Sequence, residues 1–155
     1  MLTRNLQLFV LGLVSAALFG CADDSDHDDS QAEATVGKVC EPKSVPEGGL
    51  DPQEAYVEAQ NAACGAGVCL AYRVPGDPRA ACRAQPGACS ASDPACSGSA
   101  RCTDAADIEK HVSCSCRCDG PDTQAHYCAC PDGFLCVPVL EQGDPSLVGS
   151  YCTRP

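Results

Sequence analysis

Cysteine carries most of the potential chemistry in this sequence, with 15 copies among 155 residues. Thiols form disulfides, bind soft metal ions or become covalently modified. Cys114, Cys116 and Cys118 alternate with single residues, so these three lie too close together to pair easily with one another. We therefore expect each of them to reach a separate partner elsewhere in the chain.

The cysteines from position 40 onwards are predicted to form structural disulfides. Reducing compartments rarely support so many thiols, whereas exported proteins meet an oxidising environment. Setting Cys21 aside leaves an even number, which favours seven bridges and no orphan thiol. The spacing does not determine the pairing. The candidates are Cys40, Cys64, Cys69, Cys82, Cys89, Cys96, Cys102, Cys114, Cys116, Cys118, Cys128, Cys130, Cys136 and Cys152.

Metal binding is the alternative role for the same thiols. Metallothionein-like clusters use Cys-x-Cys spacings, soft thiolates select zinc or copper(I), and His126, Cys128 and Cys130 could add ligands. Zinc sites, however, usually place two to four residues between neighbouring cysteines, and this chain places one. We therefore predict neither a metal site nor a cofactor.

Residues for other catalytic chemistry are sparse. Ser113 and Ser115 lie near His111, but the sequence has no Gly-x-Ser-x-Gly motif and no phosphate-binding glycine loop. A histidine at a predicted helix end, such as His111, is typical of a partner for the helix dipole. His126 beside Tyr127 is typical of a loop surface. These observations predict a protein that is not an enzyme.

The charge of the chain excludes one class of partner. Lys and Arg number 10 against 21 Asp and Glu, a net charge of −11. Contact with phosphate backbones needs positive charge, so we expect no nucleic-acid partner. The acidic surface favours cationic partners or loose bridging by calcium.

The N-terminus has the pattern of an export signal. Arg4 precedes an apolar stretch from Leu6 to Phe19, which is too short for a comfortable membrane span. The following residues, Leu18-Phe19-Gly20-Cys21, resemble the bacterial lipobox, although Phe19 stands where a smaller residue is usual. The resemblance implies cleavage before Cys21, a diacylglycerol thioether on its sulfur and a fatty acyl chain such as palmitate on the new amine. Ordinary signal cleavage after Ala22 is the alternative.

The lipobox resemblance also implies a location and a domain plan. In bacterial lipoproteins an Asp after the lipidated cysteine favours the inner membrane, so Ala22 favours the outer membrane. Residues 23–30 read DDSDHDDS, and such a run cannot bury enough apolar surface to fold. An EF-hand would need Gly and Glu where Asp29 and Thr35 stand. We predict a signal peptide over 1–20, a lipidated disordered acidic tether over 21–39 and a cysteine-rich domain over 40–155.

The domain is predicted to be a small, disulfide-rich, irregular α+β fold. Ile, Leu, Val and Phe number only 15 from Cys40 onwards, so bridges must replace much of the core. Asp51-Pro52-Gln53-Glu54 is typical of a helix start, and a helix is predicted near 51–63. A shorter helix is predicted near 104–111, capped by Thr103 or Asp104.

Two extended segments indicate an internal repeat. Val68–Val74 and Leu135–Leu140 are rich in β-formers, and each is followed by a Gly-Asp-Pro turn signal. Similar cysteine spacings around them predict two short β-hairpin modules, over 64–82 and 130–152, unless the likeness is a coincidence. Residues 82–102 have the composition of an irregular loop pinned by bridges.

Two further resemblances are limited in extent. Residues 128–136 partly resemble the end of an epidermal-growth-factor module, which we interpret as convergent disulfide spacing. The series Tyr56, Cys64, Val68–Tyr72 and Gly76-Asp77-Pro78 is similar to a group of uncharacterised cysteine-rich bacterial lipoproteins. That group has no assigned activity, so the resemblance implies localisation and not function.

These features predict a lipid-anchored module of the bacterial envelope, facing the periplasm or the surface. Its partners would be the membrane, through the anchor, and a protein of unknown kind. A non-catalytic binding or structural role fits rigid, bridged loops best. The alternatives are a protease inhibitor or toxin-like effector, for which Arg79–Arg83 around Cys82 is the candidate loop, and a thiolate metal-binding protein.

Overall fold

The structure, a computed structural model, describes residues 31–98 and 100–155. The signal region, Cys21 and the acidic run 23–30 lie outside these residues. Few helices and several short strands confirm a small disulfide-rich α+β fold. In chain order the elements are α1 (residues 31–35), β1 (Ala55–Ala59), β2 (Val68–Tyr72), α2 (Ala80–Arg83), β3 (Cys89–Ser90), β4 (Arg101–Cys102), α3 (Ala105–His111), β5 (Val112–Ser115), β6 (Arg117–Asp119), β7 (Leu135–Leu140) and β8 (Gly149–Thr153).

Two small antiparallel sheets form the framework. The first has the strand order β1-β2-β5 and the second the order β6-β8-β7, while β3 and β4 form a separate parallel pair. Cys116 lies between β5 and β6, so the chain leaves the first sheet and enters the second at this residue. In the part of the chain that the structure describes, no helix is long and apolar enough to cross a membrane.

Disulfide sulfur occupies the centre of each sheet's core. Beside the first sheet, Cys40, Cys64, Cys69 and Cys114 form half of a buried cluster that also contains aliphatic side chains. A second cluster, at the second sheet, also consists largely of half-cystines. Because disulfides fill space that aliphatic side chains normally occupy, a chain poor in Leu, Ile and Val still has a buried interior.

The ordered domain begins earlier than the predicted boundary at position 40. Residues 31–39 pack on both sheets: Ala32 is buried against the second cluster, and the Thr35 hydroxyl donates to the Cys64 carbonyl at 3.0 Å. The Gly37 amide donates to the Cys114 carbonyl at 2.8 Å, and Val39 bridges to β5. The tether prediction over 21–39 is therefore wrong for residues 31–39, because Ala32 is buried in the domain and the backbone of this segment forms hydrogen bonds with it.

The helix predicted near 51–63 is wrong; this segment is a turn followed by strand β1. The Asp51 carboxylate accepts the Gln53 amide at 2.8 Å, and its carbonyl accepts the Glu54 amide at 3.0 Å. An acid followed by proline suits such a turn as well as it suits a helix start. Residues 55–59 then pair in continuous register with β2, so tertiary pairing overrides a weak local helix preference.

The helix predicted near 104–111 is confirmed as α3. Asp104 is its N-cap residue by backbone conformation, without a capping hydrogen bond from its side chain. Asp107 lies in the first turn and Lys110 and His111 in the last, an arrangement that complements the helix dipole. Ile108 faces the first buried cluster.

The two predicted modules do not share a structure. Module 130–152 contains the hairpin of β7 and β8. In module 64–82, β2 instead pairs with β1 and β5, and the chain continues beyond Gly76 into α2. Backbone bridges from Gly76 to Leu50 and from Asp77 to Cys102 draw this segment towards other parts of the chain. The hairpin prediction is thus correct for the second module and wrong for the first.

Candidate functional site

All fourteen cysteines of the domain are paired. Cys114, Cys116 and Cys118 reach three separate partners, as expected. Residues 82–102 are held by two disulfides of their own. This stretch is more regular than predicted, since it contains α2, β3 and β4. The pairs are Cys40–Cys69, Cys64–Cys114, Cys82–Cys102, Cys89–Cys96, Cys116–Cys128, Cys118–Cys136 and Cys130–Cys152.

Three of these disulfides pack against one another beneath the second sheet. The Cys152 sulfur lies 3.9 Å from that of Cys116 and 3.8 Å from that of Cys128, although neither is its bonded partner. Sulfur triplets that include these atoms lie within 4.8 Å of one another. Metal coordination uses the thiolate form, and here these sulfurs form disulfide bonds. The thiolate alternative would therefore require reduction of this cluster first.

Of the serines and histidines considered for catalysis, His111 and Ser113 line one small recess, whereas Ser115 and His126 are placed elsewhere. Ser115 is fully buried and donates its hydroxyl proton to the Cys152 carbonyl at 2.8 Å, which joins the two sheets. Ser113 is buried in β5, and His111 ends α3. His126 lies in the wall of a cleft between the sheets. Ser115 is thus held in a structural contact.

The candidate inhibitor segment Arg79–Arg83 is not a protruding extended loop. Residues 80–83 form helix α2, and the single cysteine of the segment, Cys82, is bonded to Cys102 outside it. The Arg79 guanidinium is held by Asp77, with Nε to Oδ1 at 3.0 Å and Nη2 to Oδ2 at 2.7 Å. The prediction for this segment is therefore wrong, because a helical turn and a two-point ion pair occupy it.

Asp77 is the carboxylate that interacts with the arginines of this region. Burial of the Asp77 carboxyl raises its pKa, but hydrogen bonds from the Arg79 side chain and amide, with the Arg79 and Arg83 charges, outweigh burial. The net result is a pKa below the usual range for aspartate. A lowered folded-state pKa gives stability that is complete above the unfolded pKa of about 3.9 and is lost as pH falls through the folded value.

We expect Asp77→Asn to lower the free energy of unfolding by about 1 kcal/mol at pH 7, a discounted value for a partly exposed pair. Asparagine keeps the shape of the side chain and loses the charge. The difference between the two proteins should shrink as the pH falls below the unfolded-state pKa of about 3.9 and through the lower folded-state pKa, because Asp77 itself then becomes neutral. Urea unfolding across this range measures it, with the exposed Glu141→Gln as control. A difference that is equal at pH 2 and pH 7 would contradict the prediction.

A loop braced by disulfides at both ends does exist, but at residues 119–127. Cys118, bonded to Cys136, precedes it, and Cys128, bonded to Cys116, follows it. Within the loop the Tyr127 hydroxyl donates to the Asp122 carbonyl at 2.8 Å. The composition of these residues gave no sign of this role, since the bracing depends on disulfide pairing.

A cleft of about 380 Å³ lies between the two sheets and is a candidate site. One wall comes from the β1–β2 connection and consists of Gln60 and three small residues, Gly65, Ala66 and Gly67. A β-carbon at Gly67 would lie 2.7 Å from the Ser115 carbonyl oxygen. Glycine there lets the connection lie close to β5, which sets the shape of this wall.

The opposite wall carries the charged and aromatic groups. Arg117 of β6, His126 and Tyr151 of β8 line it together with Leu147. Arg117 Nη1 lies 3.3 Å from the Val148 carbonyl, and the guanidinium carbon is 5.2 Å from the Tyr127 ring centre. Burial raises the pKa of Tyr151, and the nearby Arg117 charge partly opposes this. Sequence reasoning did not identify Arg117, because its neighbours come from distant strands.

The turn that carries Leu147 is the predicted Gly-Asp-Pro turn. The Asp144 carbonyl accepts the Leu147 amide at 2.8 Å, and the Asp144 carboxylate accepts the amide and the hydroxyl of Ser146. These two bonds lower the pKa of Asp144 below its usual range. The turn thereby fixes the rim of the cleft.

Comparison with protein-family models, with curated proteins and with solved structures gives no match to this chain. A functional role for the cleft or for the disulfide framework is therefore supported by their geometry alone. Seven disulfides are typical of an extracellular or periplasmic protein and not of a cytoplasmic one.

Proposed function

We propose that this protein is a bacterial envelope lipoprotein that presents a rigid, disulfide-bonded, non-catalytic binding or structural module. The observation that carries the proposal is the complete pairing of the fourteen domain cysteines. Cys21 then has no cysteine partner within the described residues. Its place at the end of Leu18-Phe19-Gly20-Cys21, after an apolar stretch, suits it for lipid attachment.

The anchor would hold the domain at a membrane surface. Two or more acyl chains bind membranes stably, whereas one binds marginally. Ala22 after the lipidated cysteine favours the outer membrane in our proposal. The ordered domain begins by residue 31, so the acidic run 23–30 would separate it from the lipid.

A binding role is favoured over catalysis because the module offers preformed surfaces. Bridges at both ends of a loop reduce the conformational entropy that binding would otherwise cost. The cleft between the sheets offers a second preformed surface, of a size that is ordinary for small-molecule sites. We therefore assign binding to the cleft and to loop 119–127.

We expect Cys21→Ser to abolish incorporation of an alkynyl fatty acid in cells and to release the protein from the membrane fraction. Serine lacks the sulfur that forms the thioether. Phe19→Ala, which places a small residue in the lipobox-like segment, is the matched control and should retain the label. Gel fluorescence after click chemistry and non-reducing intact mass read the result. A labelled Cys21→Ser protein, or a mature mass that begins at an unacylated Asp23, would overturn the anchor.

An inhibitor role remains the second candidate because of the loop at 119–127. Inhibitory loops are held rigid at both ends before they meet an enzyme, and this loop has such bracing. Inhibition assays against purified endopeptidases distinguish this role from binding of a non-enzyme partner.

A further inference from the structure

The cleft has the opposite charge character to the rest of the chain. The protein carries 21 acidic and 10 basic residues besides its histidines, yet no aspartate or glutamate lines the cleft within the described ranges. Its charged or ionisable lining, apart from the Tyr151 phenol, is Arg117 and His126. A cationic recess in an acidic protein concentrates anions from solution.

The charge of Arg117 is not neutralised by a neighbouring carboxylate. The ion pair among the described residues joins Arg79 to Asp77, and Arg117 takes part in none. Arg117 Nη1 donates to the carbonyl oxygens of Pro145 and Val148, each at 3.3 Å. Carbonyl oxygens orient a guanidinium without removing its charge. The same side chain is fixed from another side by the Tyr127 ring, so the cation is held ready for an anion.

The remaining walls of the cleft are formed by small and largely apolar residues. Ala59, Ala66 and Val68 line the side that faces Arg117, and Leu147 lies at the rim. The volume of about 380 Å³ falls in the range of small-molecule sites. Such walls favour an aliphatic group, while the guanidinium favours a planar anion that can accept two hydrogen bonds.

We propose that this cleft binds a small carboxylate with a short aliphatic tail and that Arg117 is the counter-ion. The proposal names a ligand class for the binding module inferred above and rests on that proposed function. The carboxylate lies against the guanidinium, and the tail lies along the wall of Ala59 and Ala66. Recognition is by charge and shape, with no covalent step.

The carboxylate can come from a free metabolite or from the chain itself. Residues 23–30 contain five aspartates, and they precede Ala32, which lines the cleft, by only a few positions. Both sources share the same chemistry at Arg117. A variant in which all five aspartates become asparagine separates them, since an internal competitor would then be removed.

The test measures binding of pentanoate to the full lipidated chain in lipid nanodiscs by saturation-transfer NMR, with empty nanodiscs as reference. Pentylammonium, with the same tail and the opposite charge, is the control probe. Arg117→Gln removes the counter-ion, and Arg117→Lys keeps the charge. Ala66→Phe fills the cleft from its exposed wall and leaves Arg117 untouched. Arg101→Gln is the matched control, because that guanidinium also donates to a backbone carbonyl, outside the cleft.

We expect saturable binding of pentanoate and none of pentylammonium. Arg117→Gln and Ala66→Phe should each weaken binding about tenfold or more, while Arg117→Lys keeps part of it and Arg101→Gln all of it. Tighter pentanoate binding by the asparagine variant would support the site with the chain's own aspartates as its resident carboxylates. The proposal would be overturned if wild type and Ala66→Phe bound pentanoate equally, or if both probes bound equally. It would also be overturned if neither the wild type nor the asparagine variant bound pentanoate. Loss of the lipid anchor alone would leave it intact.

Discussion

Replacing Cys64 and Cys114 together by alanine is expected to lower the free energy of unfolding by about 4 kcal/mol. The two residues are 50 positions apart and both are fully buried. A bridge that closes so long a loop removes much of the conformational freedom of the unfolded chain, and the loss of two sulfur atoms also leaves space in the first buried cluster. Non-reducing urea unfolding, followed by far-ultraviolet circular dichroism, measures the effect.

The matched control for this change is the Cys89–Cys96 pair. These cysteines are 7 positions apart and only partly buried. Alanine at both positions should cost about 2.5 kcal/mol, because a short loop loses less entropy when it is closed. Both variants keep an even number of domain cysteines, so neither creates an unpaired thiol. If the short-range pair cost as much as the long-range pair, loop entropy would not be the source of the stability.

We expect Gly76→Ala to lower the free energy of unfolding by about 3 kcal/mol, the sum of backbone strain and overpacking. Gly76 has a φ of +82°, and a β-carbon there would lie 2.4 Å from Ala91 Cβ and 2.7 Å from the Arg101 carbonyl oxygen. The residue also exchanges two backbone hydrogen bonds with Leu50, at 2.8 and 2.9 Å. Thermal and urea unfolding of the variant measure the loss.

Gly48→Ala isolates the packing part of that effect. Gly48 has a φ of +92°, close to that of Gly76, but a β-carbon there meets nothing within 4 Å. Its substitution should cost about 1 kcal/mol, from backbone strain alone. Equal losses for Gly48→Ala and Gly76→Ala would show that the close approach to Ala91 has no energetic weight.

Two links between the sheets explain how a chain with so few aliphatic residues holds them together. Cys116 links the sheets along the backbone, while Ser115 links them through its hydrogen bond to Cys152. The cleft lies beside this junction, so its two walls belong to different sheets. Reduction of the Cys116–Cys128 bridge would therefore alter the cleft as well as the stability of the domain.

Local patterns in the sequence were sufficient where neighbouring residues decide the conformation. The β-formers of β2 and β7, the Gly-Asp-Pro turns and the acid-to-base order of α3 all act within a few residues. The failure at 51–63 shows the limit. Asp51 and Pro52 suit a turn and a helix start equally, and pairing of β1 with β2, which lies beyond a further turn, decided between them.

Composition alone determined that this is a disulfide-dependent protein, because too little aliphatic surface exists to order the chain and the even number of domain cysteines permits complete pairing. The tertiary structure alone decided which cysteines pair, where the ordered domain begins and which side chains meet at the cleft. Those outcomes join residues that are distant in sequence, such as Cys64 with Cys114 or Arg117 with Tyr151. Contacts of that range depend on the path of the whole backbone, which no local spacing records.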